Sequence, residues 1–180
     1  GSLAITAGNL ATLTSLDASD NAGGVSYTTQ VTAETVTLTG GAGNDTLTGN
    51  SGDDVIAGGA GEDTLSMGTA GGDDNIDGGA GNDTVTATGA TKDDTVSGGD
   101  GVDTLILSTE LAYDAEATTP VNDAANVSGF EVLRSMGSIE QDMTALPDVS
   151  VLQVAAGVAT LTEVVGLTDI FTLAGADADI

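Results

Sequence analysis

The chain has 180 residues, enough for one domain of ordinary size, and its 28 acidic residues against two basic ones give a formal charge of −26. Such a chain is repelled by nucleic acid and by anionic membranes, so neither is expected as a partner. It contains no Cys and no His, which excludes a disulfide framework, zinc sites of the usual kind and histidine-based catalytic triads.

Two Tyr, two Phe, no Trp and 27 Gly leave little material for a globular core. A stacked solenoid needs less, because each turn buries only a few aliphatics against its neighbours. No apolar run of about 18 residues could span a membrane, so no membrane insertion is expected. No signal peptide is seen, and the start at Gly1-Ser2 without Met reads as a piece of a longer protein.

Residues 1–39 alternate short Val/Leu/Thr runs with Gly/Asn/Asp breaks. Within them, Val31 to Thr39 (VTAETVTLT) shows β-branched alternation and runs straight into the glycine-rich segment that begins at Gly40, so 1–39 is read as the opening strands of a solenoid.

From Gly40 to Ile106 seven nonapeptides run nearly back to back: GGAGNDTLT, GNSGDDVIA, GGAGEDTLS, TAGGDDNID, GGAGNDTVT, GATKDDTVS and GGDGVDTLI. Position six is Asp in all seven: Asp45, Asp54, Asp63, Asp74, Asp83, Asp94 and Asp103. Position eight is always aliphatic: Leu47, Ile56, Leu65, Ile76, Val85, Val96 and Leu105. Period-two alternation points position eight inward and positions seven and nine outward. Each unit therefore supplies a flexible turn, a carboxylate and an inward anchor. This pattern predicts an all-β fold, a right-handed parallel β-roll or β-solenoid whose glycine-rich turns hold calcium.

After Ile106 the glycine turns stop, but strand-like pieces continue at Ser128 to Leu133, Val149 to Val154, Val158 to Val164 and Leu167 to Leu173, punctuated by Pro147 and Gly157. Leu111 to Val127 reads as a loop. Residues 107–180 are taken as a strand-rich continuation of the solenoid, with a separate small domain as the alternative.

Glycine at positions one, two and four lets the backbone adopt restricted conformations and lets carbonyls crowd around an ion. Calcium takes six to eight oxygen ligands and accepts backbone carbonyls beside carboxylates. Residues 40–106 carry 13 acids and one Lys, a net −12. Aspartates stacked one sheet spacing apart repel by about 3 kcal/mol per pair at an intermediate effective dielectric. The regularity of Asp at one fixed position favours metal binding over an Asp-Gly repeat that merely turns.

The seven units resemble the RTX (repeats-in-toxin) motif GGxGxDxUx. The resemblance implies two nonapeptides per turn, with ions between turns of like parity. Their ligands would be the position-six aspartates and nearby backbone carbonyls, here around Gly41, Gly43, Gly52, Gly59, Gly61, Gly72, Gly79, Gly81, Gly99 and Gly101. Asp45, Asp63, Asp83 and Asp103 would line one edge, called odd, and Asp54, Asp74 and Asp94 the other, called even. Pairing like turns gives about five Ca²⁺ ions. The odd turns keep the motif. The even turns carry the insertions Met67-Gly68 and Ala87-Thr88, one enlarged coil apart and so expected to stack, and Lys92 in place of a glycine. The doubled acids Asp53, Asp73 and Asp93 are read as solvated surface charges.

No catalytic constellation is present, and no aromatic platform for a sugar is evident, so the chain is not expected to be an enzyme. The Thr/Ala/Gly-rich composition and the pieces LTSLDAS (from Leu13) and VSGFEVLRS (from Val127) resemble RTX-bearing surface-layer proteins of Gram-negative stalked bacteria. That resemblance implies a secreted structural protein, exported by type I secretion, that self-associates into a calcium-dependent lattice on the cell surface. A cell-surface polysaccharide would be met through regions outside this chain, since two cations make no basic face. The alternative is the calcium-folding export module of a larger adhesin, toxin or hydrolase. An ice-binding roll is rejected because position three (Ala42, Ser51, Ala60, Gly71, Ala80, Thr91, Asp100) holds no regular Thr column.

Overall fold

The computed structural model describes residues 3–4, 12–69, 71–91, 93–107, 126–135, 140–142, 146, 148–154, 160–162 and 169–172. Lys92, Pro147, Gly157, the excursion up to residue 125 and the flanks of the last two strand pieces lie outside them.

The strands are β1 (Leu3–Ala4), β2 (Ser15–Asp17), β3 (Val25–Thr28), β4 (Thr37–Thr39), β5 (Thr46–Thr48), β6 (Val55–Ala60), β7 (Thr64–Ser66), β8 (Asn75–Ala80), β9 (Thr84–Thr86), β10 (Thr95–Asp100), β11 (Thr104–Leu107), β12 (Val127–Ser128), β13 (Val132–Ser135), β14 (Glu140–Asp142), β15 (Val151–Val154), β16 (Thr160–Thr162) and β17 (Asp169–Thr172). Odd-numbered strands form one sheet in the order β1-β3-β5-β7-β9-β11-β13-β15-β17. Even-numbered strands form a second, β12-β10-β8-β6-β4-β2, and β14 pairs with β16 alone. Every pairing is parallel, for example β5 with β7 and β6 with β8. The chain winds back and forth between two sheets and is an all-β parallel roll.

Register follows the repeat. Leu47, Leu65, Val85, Leu105 and Leu133 face one another along the first sheet. Ile56, Ile76, Val96 and Val127 do so along the second. These columns are buried, while the position-seven residues Thr46, Val55, Thr64, Asn75 and Thr95 are exposed. The core is thus about one aliphatic wide per strand, each contributing about 1.5–3 kcal/mol on burial. The repulsion of one stacked Asp pair, about 3 kcal/mol, is of the same size. A roll with uncompensated carboxylates therefore has little margin.

The insertions are absorbed in register. Met67 and Ala87 are both buried, and the Met67 amide donates to Thr86 O (3.2 Å) as the Ala87 amide does to Ile106 O (3.0 Å). The two widened coils thus stack.

Two elements differ from the sequence reading. Ser128 to Leu133 is not one strand: Val127–Ser128 ends in the second sheet and Val132–Ser135 lies in the first. Gly129, with φ +70°, turns the chain between them. Glu140–Asp142 forms a strand that its polar sequence does not announce.

Candidate metal centre

The turns at the two edges of the roll bring the position-six aspartates into two ladders. On the odd edge, the Asp45 amide donates to Asp63 Oδ1 (2.7 Å), the Asp63 amide to Asp83 Oδ1 (2.8 Å), and the Asp83 amide to Asp103 Oδ1 (2.7 Å). On the even edge, the Asp54 amide donates to Asp74 Oδ1 (2.9 Å) and the Asp74 amide to Asp94 Oδ1 (2.6 Å). Amides of the preceding coils start each ladder, from Val25 to Asp45 Oδ1 (2.6 Å) and from Val36 to Asp54 Oδ1 (3.0 Å). All seven aspartates are buried, none more than 3% exposed.

The second oxygens divide the aspartates. Asp45 Oδ2 accepts the Gly41 amide (2.7 Å), Asp54 Oδ2 the Asn50 amide (2.6 Å), and Asp94 Oδ2 the Thr91 amide (2.5 Å). Among the described residues, Oδ2 of Asp63, Asp74, Asp83 and Asp103 is buried with no hydrogen-bond partner. A buried carboxylate oxygen without a partner is costly, and a cation is the natural remedy.

The electrostatics point the same way. Burial pushes Asp63 up to about 6, helped by the charges of Asp83 and Asp45 and opposed by the Asp45 amide. Burial pushes Asp74 up to about 7, with Asp54, Asp94 and Asp53 adding to it and the Asp54 amide opposing. Asp54, Asp83 and Asp103 are raised too, again chiefly by burial. The fold holds carboxylates in a place that disfavours their charge, unless positive charge is supplied.

Among the described residues no three acidic side chains converge on one point. The acids come in pairs one coil apart, so an ion between coils must draw most of its oxygens from backbone. The structure provides them. An atom added at the Gly58 Cβ position would meet both Asp63 Oδ2 and the Gly78 carbonyl, and one at Gly78 both Asp83 Oδ2 and the Gly98 carbonyl. Calcium, which accepts carbonyl and carboxylate oxygens together, fits this donor set. When bound it supplies the positive charge that the stacked aspartates lack.

The glycines named from the sequence stack in columns: Gly41, Gly59, Gly79 and Gly99; Gly43, Gly61, Gly81 and Gly101; and, on the even edge, Gly52 under Gly72. At Gly59, Gly79 and Gly99, φ lies between +104° and +109°, the region that L side chains rarely adopt. The Gly41 carbonyl accepts the Ala60 amide (2.8 Å). Sequence reasoning tied carbonyl crowding to position one along with positions two and four, but did not name Gly78 and Gly98 among the site residues. It also missed Glu131, whose Oε2 accepts the Asp103 amide (2.8 Å).

Asp53, Asp73 and Asp93 are exposed. Asp53 Oδ1 also accepts the Asp73 amide (3.0 Å), an outer link between even turns. Asn44 and Asn82 make the matching link on the odd edge, to the amides of Glu62 (3.1 Å) and Val102 (2.9 Å).

A parallel roll with carboxylate ladders along both edges defines a metal-stapled repeat protein. Residues 37–65, 69–85 and 86–108 match the family model of the RTX calcium-binding nonapeptide repeat, in four copies, and this region belongs to that family. No curated protein and no solved structure matches the chain.

Proposed function

We propose that the chain is a non-catalytic, calcium-dependent structural protein of a bacterial surface layer, secreted and self-associating into a lattice on the cell surface. The observation that carries the calcium part is the set of buried, partnerless Oδ2 atoms on Asp63, Asp74, Asp83 and Asp103. Calcium is scarce in cytosol and plentiful outside cells, and extracellular calcium modules work with dissociation constants of about 10⁻⁴–10⁻³ M. The charge balance of the ladders thus favours an unfolded chain during export and a folded one outside. Composition supports the lattice part: exposed Thr-rich β faces, two basic residues and the flanking pieces that resemble surface-layer proteins.

A second reading is that this is the calcium-folding export module of a larger secreted adhesin, toxin or hydrolase. It is favoured by the ladders lying wholly within the roll's own turns, so that folding needs no second copy. Electron microscopy after calcium addition tests the pair. Two-dimensional sheets support the surface layer. Folded, dispersed particles at millimolar calcium support the module.

A further inference from the structure

We infer that Glu131, Asp103 and the Gly129 carbonyl form a further calcium site at the end of the odd edge, in a coil that carries no nonapeptide. The inference rests on the proposed calcium binding of the repeats and extends it past the last of them.

Three observations converge. First, the ladder does not stop at Asp103. The Asp103 amide donates to Glu131 Oε2 (2.8 Å), the same bond that the Asp83 amide makes to Asp103 Oδ1 (2.7 Å), although 28 residues separate the partners. Second, Asp103 is fully buried and its Oδ2 has no hydrogen-bond partner. The even edge ends otherwise: Asp94 closes its own Oδ2 on the Thr91 amide (2.5 Å). Third, the Gly129 carbonyl lies over Gly98 as the Gly98 carbonyl lies over Gly78 and the Gly78 carbonyl over Gly58. Gly129 therefore occupies a position-one place without a GGxGxD motif around it.

The length of the turn explains why the acid is Glu. Ser97 pairs with Ser128 and Thr104 with Val132, so Gly129–Phe130–Glu131 replaces the six residues from Gly98 to Asp103. A turn cut this short cannot bring a position-six residue to the usual place. The extra methylene of Glu makes up reach, and the intervening Phe130 is buried in the core. The result pairs a buried aspartate with a second carboxylate and a backbone carbonyl, the hard oxygen set that calcium takes.

The test is a count of bound calcium by equilibrium dialysis on the full chain, Glu131→Gln and Glu62→Gln. Glutamine at 131 keeps an acceptor for the Asp103 amide and loses the charge. Glu62 is an exposed residue of an odd turn and controls for net charge. The expected result is one calcium fewer in Glu131→Gln, with unchanged circular dichroism at saturating calcium, and the parent number in Glu62→Gln. Equal number and affinity in Glu131→Gln and the parent would overturn the inference while leaving the repeats' calcium intact. A parent chain that binds no calcium would overturn the broader reading as well. Should Glu131→Gln fail to fold, a crystal structure of the calcium-loaded parent decides. A cation at about 2.3–2.6 Å from Asp103 Oδ2 and a Glu131 oxygen supports the site, and cations in the repeat turns alone refute it.

Discussion

The Asp63 amide donates a 2.8 Å hydrogen bond to Asp83 Oδ1, and this bond orients the Asp83 carboxylate so that its other oxygen is buried without a partner. The same relationship holds at Asp63 and Asp103 on the odd edge and at Asp74 on the even edge, so one local bond turns these acids into cation-seeking oxygens. The stabilisation from the thin aliphatic core behind it is of the same size as the resulting repulsion and leaves little margin. Calcium is therefore a structural component of the fold.

Aspartates with a partnerless Oδ2 should matter more for calcium affinity than those whose Oδ2 already accepts an amide. Asp63 has a partnerless Oδ2, whereas Asp94 Oδ2 already accepts the Thr91 amide. Asp63→Asn should raise the calcium midpoint by about tenfold, equivalent to about 1.4 kcal/mol, and Asp94→Asn by clearly less. Asparagine keeps an acceptor for the Asp45 amide at position 63, whereas at position 94 it can serve only one of the Asp74 and Thr91 amides and sets its NH2 group against the other, so each shift is read against the variant's own stability at saturating calcium. Equal shifts in a calcium titration would remove the asymmetry.

Gly79→Ala should destabilise the calcium-loaded roll by at least about 1–3 kcal/mol. Its φ is +105°, and a methyl group would run into the Gly59 carbonyl of the neighbouring coil. Ala80→Ser, one residue on and exposed, should stay within about 0.5 kcal/mol. Denaturant unfolding in excess calcium measures both, and a neutral Gly79→Ala would mean the turn can relax.

The pH dependence should reverse with calcium. In the metal-free roll Asp63 and Asp74 titrate at about 6 and about 7, above the ordinary value of 3.8. Raised carboxyl pKa values mean that the folded state binds protons more tightly than the unfolded chain. That stability is fully present below 3.8 and is lost as pH rises through about 6 and about 7. In chelator, then, the folded fraction read by circular dichroism should be larger near pH 5 than near pH 8, where the metal-free roll is expected to be unfolded. With calcium present it should fall on acidification, because protons compete for the same oxygens. The double variant Asp63→Asn, Asp74→Asn should flatten the chelator profile. A chelator profile that rises with pH would contradict the burial of these groups.

Much of the roll was legible because the repeat couples two signals at fixed spacing. Leu47 and Leu65 announce the inward column, and Asp45 and Asp63 announce the edge. The stacking of Met67 on Ala87 was legible too, since both insertions lengthen like coils. The reading weakened where geometry is kept without the motif. Glu131 sits 28 residues from Asp103 and lacks the glycine turn, so nothing local marks it as the next rung. Ser128 to Leu133 looks continuous because alternation does not reveal that Gly129 passes the chain from one sheet to the other. Glu140–Asp142 has no apolar residue to betray a strand. The motif marks position one as a glycine, but not that the Gly78 and Gly98 carbonyls come beside the Asp63 and Asp83 carboxylates.

The most direct test of the central claim is a calcium titration of the chelator-treated chain followed by far-ultraviolet circular dichroism. Stacked, buried carboxylates with partnerless oxygens should leave the metal-free roll of residues 40–106 unfolded at neutral pH, a glycine- and acid-rich chain with too little core to hold itself. Several sites in one stack make the response steep. The account predicts a cooperative gain of β signal with a midpoint between about 0.1 and a few millimolar calcium. A full β spectrum in excess chelator, unchanged by calcium, would contradict it.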